Sequence, residues 1–171
     1  MKIMNKFQKK LANRKKDNKG FSLVELIIVI AIMAILVGIV GTQVLPYINK
    51  SKEAKDFQII NSYGTAATTA YSSNAEKVTA VTIVTMDDTP DTTNSTEPAK
   101  TLAAEIKDIT GYDTITKELE GKTDLKGKMG SKKGQTITKI VITIDPVTNK
   151  NIKTQAYAGD KRVFDEVVTQ L

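Results

Sequence analysis

Apolar and polar positions divide this chain into stretches of different character. From Phe21 to Leu45 the side chains are almost continuously apolar, and between Leu26 and Asn49 there is no charge. That length predicts a helix able to cross the hydrocarbon core of a bilayer, which takes about 20 residues. Gly38 and Gly41 lie late in the run and Pro46 follows it. Pro46 lacks the N–H that the Thr42 carbonyl would accept, and its ring crowds the preceding turn. A kink or a locally melted stretch from Gly38 to Pro46 is therefore expected.

Beyond Pro46 the pattern becomes amphipathic. Ile48, Ile59, Ile60, Tyr63, Ala66, Ala67, Ala70 and Tyr71 fall mostly at three- and four-residue steps, with Lys50, Lys52, Glu53, Lys55 and Asp56 in the gaps. This predicts a helix that lays one face on a soluble domain. One broken helix from Phe21 to about Ser73 would span roughly 75–80 Å. Val78–Met86 then reads as a strand and Asp87–Lys100 as a polar loop. Pro98 opens a helix carrying Leu102, Ala103, Ile106 and Ile109 as far as Gly111. Asp113–Leu119 reads as a further short helix and Glu120–Gln135, with four glycines among lysines, as a mobile loop. Ile137–Asp145 is the clearest strand, with Ile140, Ile142 and Ile144 on one face. After a turn at Asp145–Lys150, Ile152–Ala158 returns. In the tail, Val163, Phe164, Val167, Val168 and Leu171 suit a short helix. The fold class is α+β, a long N-terminal helix packed on a small antiparallel sheet. Its divisions are residues 1–20, 21–46, 47–73 and 74–171.

Charge sharpens this picture. The net charge is +6, yet residues 1–20 alone carry +7, from eight Lys and Arg against Asp17. The basic balance therefore belongs to a leader and not to a nucleic-acid-binding face. A basic tail before an apolar span places residues 1–20 in the cytoplasm and the C-terminal part outside. There is no cysteine, histidine or tryptophan. Disulfides and thiolate metal sites are thereby excluded, and the commonest general base is missing. No serine–base pairing, phosphate-binding glycine loop or paired carboxylate site is visible; Glu118 and Glu120 belong to a charged segment. The expectation is a protein that is not an enzyme and holds no cofactor or metal.

The most informative residue is Glu25, a carboxylate near the start of the apolar helix. A charge at the centre of such a helix costs about 2.5–3.5 kcal/mol on insertion scales. A cation on another chain would neutralise it, so the chain is expected to pack beside copies of itself. Lys19-Gly20-Phe21-Ser22-Leu23-Val24-Glu25, followed by Leu26–Leu45, resembles the N-terminus of type IV prepilins over about residues 14–46. The resemblance implies cleavage between Gly20 and Phe21 by a membrane prepilin peptidase and methylation of the new Phe21 amine. It also implies pairing of Glu25 with the Phe21 amine of a neighbouring subunit. The expected product is a homo-oligomeric helical filament, a type IV pilus at the cell surface. Its single-pass precursor would sit in the inner or cytoplasmic membrane and be handled by an assembly platform and its ATPase. Adhesion, motility and DNA uptake are the activities of such fibres. The disulfide-bounded C-terminal loop usual in these proteins cannot form here.

Other readings compete. An ordinary secretory signal fails on length and on the missing small-residue cleavage site, and a plain membrane anchor leaves Glu25 unexplained. A pseudopilin of a type II secretion or competence system shares the same N-terminal logic; a monomeric membrane-anchored binding domain is the rival of another class. Gly38, Gly41 and Pro46 suit either a conformational joint or simple helix packing. Asp87, Asp88 and Asp91 resemble a calcium loop, but a solvated turn explains them more simply. Lys122, Lys126, Lys128, Lys132 and Lys133 suit a solvated loop better than a DNA-binding one, since no aromatics stand nearby to stack bases. Tyr63 and Tyr71 are expected in the core, against a stacked array that would include Tyr47.

Overall fold

The computed structural model describes residues 20–88, 94, 96–115 and 124–171. Contacts divide the chain into two compact units, Met1–Leu45 and Pro46–Leu171; the second is called the head below. In the first unit, helix α1 (Leu23–Ile39) has no buried residue. It continues into a π-helical turn at Val40–Val44, where the Leu45 N–H donates to the Val40 carbonyl five residues back. The expected kink thus takes a definite form: hydrogen bonding widens in the turn ahead of Pro46 instead of breaking. The wider spacing eases the ring's crowding of the preceding turn. The Thr42 hydroxyl also donates to the Gly38 carbonyl at 3.0 Å.

Helix α2 (Leu45–Asn74) buries Asp56, Ile60, Tyr63, Gly64, Ala66, Ala67 and Ala70, a stripe at three- and four-residue steps. The small residues let it lie close to the sheet. A Cβ added at Gly64 would stand 3.4 Å from both Thr154 Oγ1 and Val167 Cγ1. Tyr63 is fully buried, Tyr71 half-buried, and Tyr47 exposed. Ile48, expected on the inward face, is instead exposed.

The sheet is antiparallel, comprising β1 (Thr82–Met86), β2 (Lys139–Asp145), β3 (Asn151–Ala158), β4 (Lys161–Arg162) and β5 (Val167–Gln170). β1 forms one edge; β4 and β5 both pair with β3, at different ends of it. Ile140, Ile142 and Ile144 all point into the core, as the alternation requires. β1 starts at Thr82, later than the expected Val78, although Val78 is itself buried. On the outer edge of β1, Asn94 Oδ1 accepts the Thr85 N–H at 3.0 Å and its Nδ2 donates to the Thr85 carbonyl at 2.6 Å. Helix α3 (Ala99–Thr110) buries Leu102, Ala103 and Ile106. It ends at Gly111, whose φ of 72° is the left-handed conformation that closes many helices.

Three expectations fail in the head. The tail is strand β5, not a helix: Thr154 of β3 pairs with Val167, and Asn151 with Gln170. Val167, Val168 and Thr169 are β-branched and β3 offers an unpaired edge, so ladder bonding wins over a spacing that fits either structure. No helix covers Asp113–Ile115, where Thr114 makes a bridge to Asp124; residues 116–123 lie outside the described residues. The described part of the glycine- and lysine-rich segment is not loose. It holds 3₁₀ turns at Lys126–Lys128 and Gly134–Thr136.

That segment is fastened by Asp56, which the helical pattern alone places among the polar positions of α2. Asp56 is fully buried. Its Oδ1 accepts the Gly130 N–H and its Oδ2 the Ser131 N–H, both at 2.8 Å, and the Ser131 hydroxyl also donates to Oδ2. Ser131 Oγ in turn accepts the Gly134 N–H at 2.8 Å. A Cβ at Gly134 would collide with Asp56 Oδ2. Asp56→Ala leaves these donors buried without an acceptor. It is expected to cost about 2–4 kcal/mol, read by denaturant unfolding of the full chain in detergent.

Asp145 organises the β2–β3 turn. The Thr148 N–H holds its carboxyl below the usual carboxylate range, helped by the Asn149 side chain and the Asn149 and Val147 N–H groups, while partial desolvation opposes them. A lowered folded value stabilises the head above the ordinary carboxylate pKa, and that contribution disappears as pH falls through the folded value. Asp145→Asn is therefore expected to flatten the acid limb of a melting-temperature profile measured from neutral pH downward.

Candidate processing and assembly segment

The segment predicted to carry function begins in extended chain and ends in a helix. Gly20 and Phe21 precede α1 and are exposed, Phe21 at 85 %. Nothing lies within 4 Å of a Cβ added at Gly20. The peptide bond between them is thus accessible and outside helical hydrogen bonding. Ser22, at φ −65° and ψ 143°, is the N-cap.

Ser22 and Glu25 form a capping box. The Ser22 hydroxyl accepts the Val24 N–H at 3.3 Å, and Glu25 Oε2 accepts the Ser22 N–H at 2.8 Å. Two otherwise orphaned N-terminal donors are satisfied, and a negative charge sits at the positive end of the helix dipole. Ser22 was not singled out in the sequence, although Ser-x-x-Glu ahead of an apolar run is the signature of this motif. Glu25 Oε1 has no hydrogen-bond partner among the described residues. Glu25 is the only charged side chain between Phe21 and Asn49.

From Leu23 onward the helix exposes its apolar surface on every side. Leu23, Ile30, Ile35 and Val37 are each more than half exposed, and no residue of α1 is buried among the described residues. Exposed apolar surface on this scale marks membrane or protein contact. By length and composition the helix is apolar enough to cross a membrane. Gly38 and Pro46 lie on either side of the π turn and Gly41 within it, and a Cβ at either glycine would meet nothing within 4 Å.

The other candidate groups come apart. Asp88 Oδ1 accepts the Ile115 N–H at 2.6 Å, a structural use, and Asp91 lies outside the described residues. Among the described residues no group of three or more acidic side chains is placed to hold a metal. Lys126 and Lys128 occupy a 3₁₀ turn, while Lys122 lies outside the described residues. Burial pushes the Tyr63 phenol well above its ordinary range. Tyr63 stacks on Tyr112 with centroids 6.3 Å apart, a core contact.

If Pro46 is what widens the helix, Pro46→Ala restores the missing donor and returns Val40–Val44 to α-helical bonding. The carbonyl carbon shifts of Val40–Thr42 in detergent micelles, measured by NMR, are expected to move to ordinary helical values.

Residues 15–41 match the family model of the prokaryotic N-terminal methylation motif, the type IV prepilin cleavage and methylation motif. The motif is that of structural, non-enzymatic proteins made as membrane-anchored precursors. No curated protein and no solved structure matches the chain.

Proposed function

We propose that this chain is the structural subunit of a type IV pilus, made as a membrane precursor and polymerised through its N-terminal helix into a surface fibre. The observation that carries the reading is the matched motif joined to an apolar helix with no buried residue among those described. Cleavage after Gly20 removes the +7 leader and creates an α-amine at Phe21. Methylation leaves that amine cationic. Before cleavage the leader's charge holds the helix at the cytoplasmic face; afterwards the helix can leave the lipid and bury its surface against other copies.

Glu25 then supplies axial register. Its Oε2 is occupied by the Ser22 N–H of its own chain, which leaves Oε1 for the Phe21 amine of a neighbour. In a low-dielectric bundle this attraction far exceeds its strength at a surface, and any other axial offset would bury an unpaired carboxylate. The π turn at Val40–Val44, between Gly38 and Pro46, is the natural joint, since its widened bonding converts readily to α-helix or to an extended stretch under load. A pseudopilin of a secretion system fits the same N-terminus; fibre length on overproduction separates the two.

Mass spectrometry of sheared surface material is expected to show a chain that starts at methylated Phe21. A start at Met1 overturns the reading. Glu25→Gln keeps an oxygen for the Ser22 N–H but removes the charge. It is expected to insert into the membrane and to abolish ordered fibres in electron micrographs, as is Glu25→Ala. Abundant normal fibres from Glu25→Gln would refute the register role.

A further inference from the structure

We propose that the head carries a binding surface for anionic phospholipid headgroups, built where the first turns of α2 meet the 129–134 segment and β4. It rests on the membrane location of the apolar helix and not on polymerisation. Lys50 and Lys52 lie on α2 only a few residues past Leu45, so at 1.5 Å rise Lys50 stands about 7 Å along the helix from the end of the apolar run. The clamp on Asp56 brings a second set of cations to this point. Gly130 lies against Lys52, whose Cγ would be 3.7 Å from a Cβ built there. Lys133 shares one surface cleft, of about 270 Å³, with Lys50 and Phe57. A second cleft of about 470 Å³ is rimmed by Lys132, Lys133, Lys161 and Arg162 and floored by Ala158 and Val163.

All six cations are exposed. Of these six, Arg162 alone has a carboxylate in ion-pair range among the described residues, Glu166 at 3.9 Å, while Lys133 lies 4.7 Å over the Phe164 ring. Glu53 and Asp165 balance Lys50 and Lys133 in the smaller cleft, so the positive field comes from Lys52, Lys132 and Lys161 around it. Cations directly after a span normally mark its cytoplasmic side; here they follow the span on the side opposite the leader, so topology alone does not account for them. On a membrane-anchored chain, an apolar-floored cleft ringed by cationic side chains suits a phosphate carried on a glycerol stem. Occupancy would hold the unassembled head down on the lipid, and extraction of the subunit would release it.

The absence of native cysteine permits a clean test. In the full chain, Asp160→Cys, beside Lys161 on the surface, is labelled with an environment-sensitive fluorophore. The labelled protein is reconstituted into phosphatidylcholine vesicles with or without phosphatidylglycerol. The expected result is a blue shift and loss of quenching by soluble iodide in phosphatidylglycerol vesicles only. The shift is expected to reverse in high salt and to vanish in K132E/K133E/K161E. It should persist when the same charge change is made at Lys77, Lys100 and Lys150. Identical signals in both vesicle types overturn the proposal. So does a signal evoked in phosphatidylcholine by inorganic phosphate or duplex DNA, which would make the ligand a soluble anion, and so does equal loss in the control triple variant. Failure of the chain to float with vesicles would instead remove the membrane reading itself. Fibre formation is scored separately, so loss of the pilus function leaves this result readable.

Discussion

An apolar helix with no buried residue among those described needs a surrounding other than water, and this constraint governs the rest of the molecule. α1 buries none of its residues. In water such a surface would drive indiscriminate association; in lipid it is solvated, and beside identical helices it packs. Lipid offers no directional preference, whereas a single charged group on the surface creates one. Glu25 is that group, and its capping bond to Ser22 fixes where the carboxylate points before any partner arrives. The same residue serves helix initiation and, in the proposed fibre, subunit register.

The head solves a different problem. It has no cysteine to staple it, so packing and polar fastenings must hold it together. The hydrophobic core is one cluster shared by α2, α3 and the inner face of the sheet. Around it, short side chains from distant parts of the chain tie down loops. Asp56 holds the segment around Ser131, Asp145 rigidifies the β2–β3 turn, and Asn74 donates to Glu105 of α3 at 2.7 Å. Asp56 and Asp145 each match one carboxylate to several donors, so backbone that would otherwise face unfavourable burial becomes part of the fold.

Legibility in the sequence followed the range of the interactions involved. The apolar span, the stripe on α2, the Pro98-to-Gly111 helix and the Ile140-Ile142-Ile144 alternation are local patterns, and local periodicity reports them. The tail misled because Val163, Phe164, Val167 and Val168 satisfy helical and extended spacing alike; only the vacant edge of β3, distant in sequence, decides between them. Asp56 was invisible for the same reason, since its partners Gly130 and Ser131 lie more than seventy positions away. Around Gly20, Phe21 and Glu25 the motif that residues 15–41 match is legible from residue order alone, while Ser22 was overlooked despite completing a four-residue signature.

Asn94 has a consequence for crowding. Precursors concentrated in a membrane hold their sheets close together, and a bare outer strand invites one molecule to graft itself onto the next through main-chain pairing. By occupying both polar groups of Thr85 with its own amide, Asn94 impersonates the next strand for one residue and denies that template to a neighbour. Membrane-anchored precursors could then stand edge to edge in the bilayer without congealing into stacked sheets.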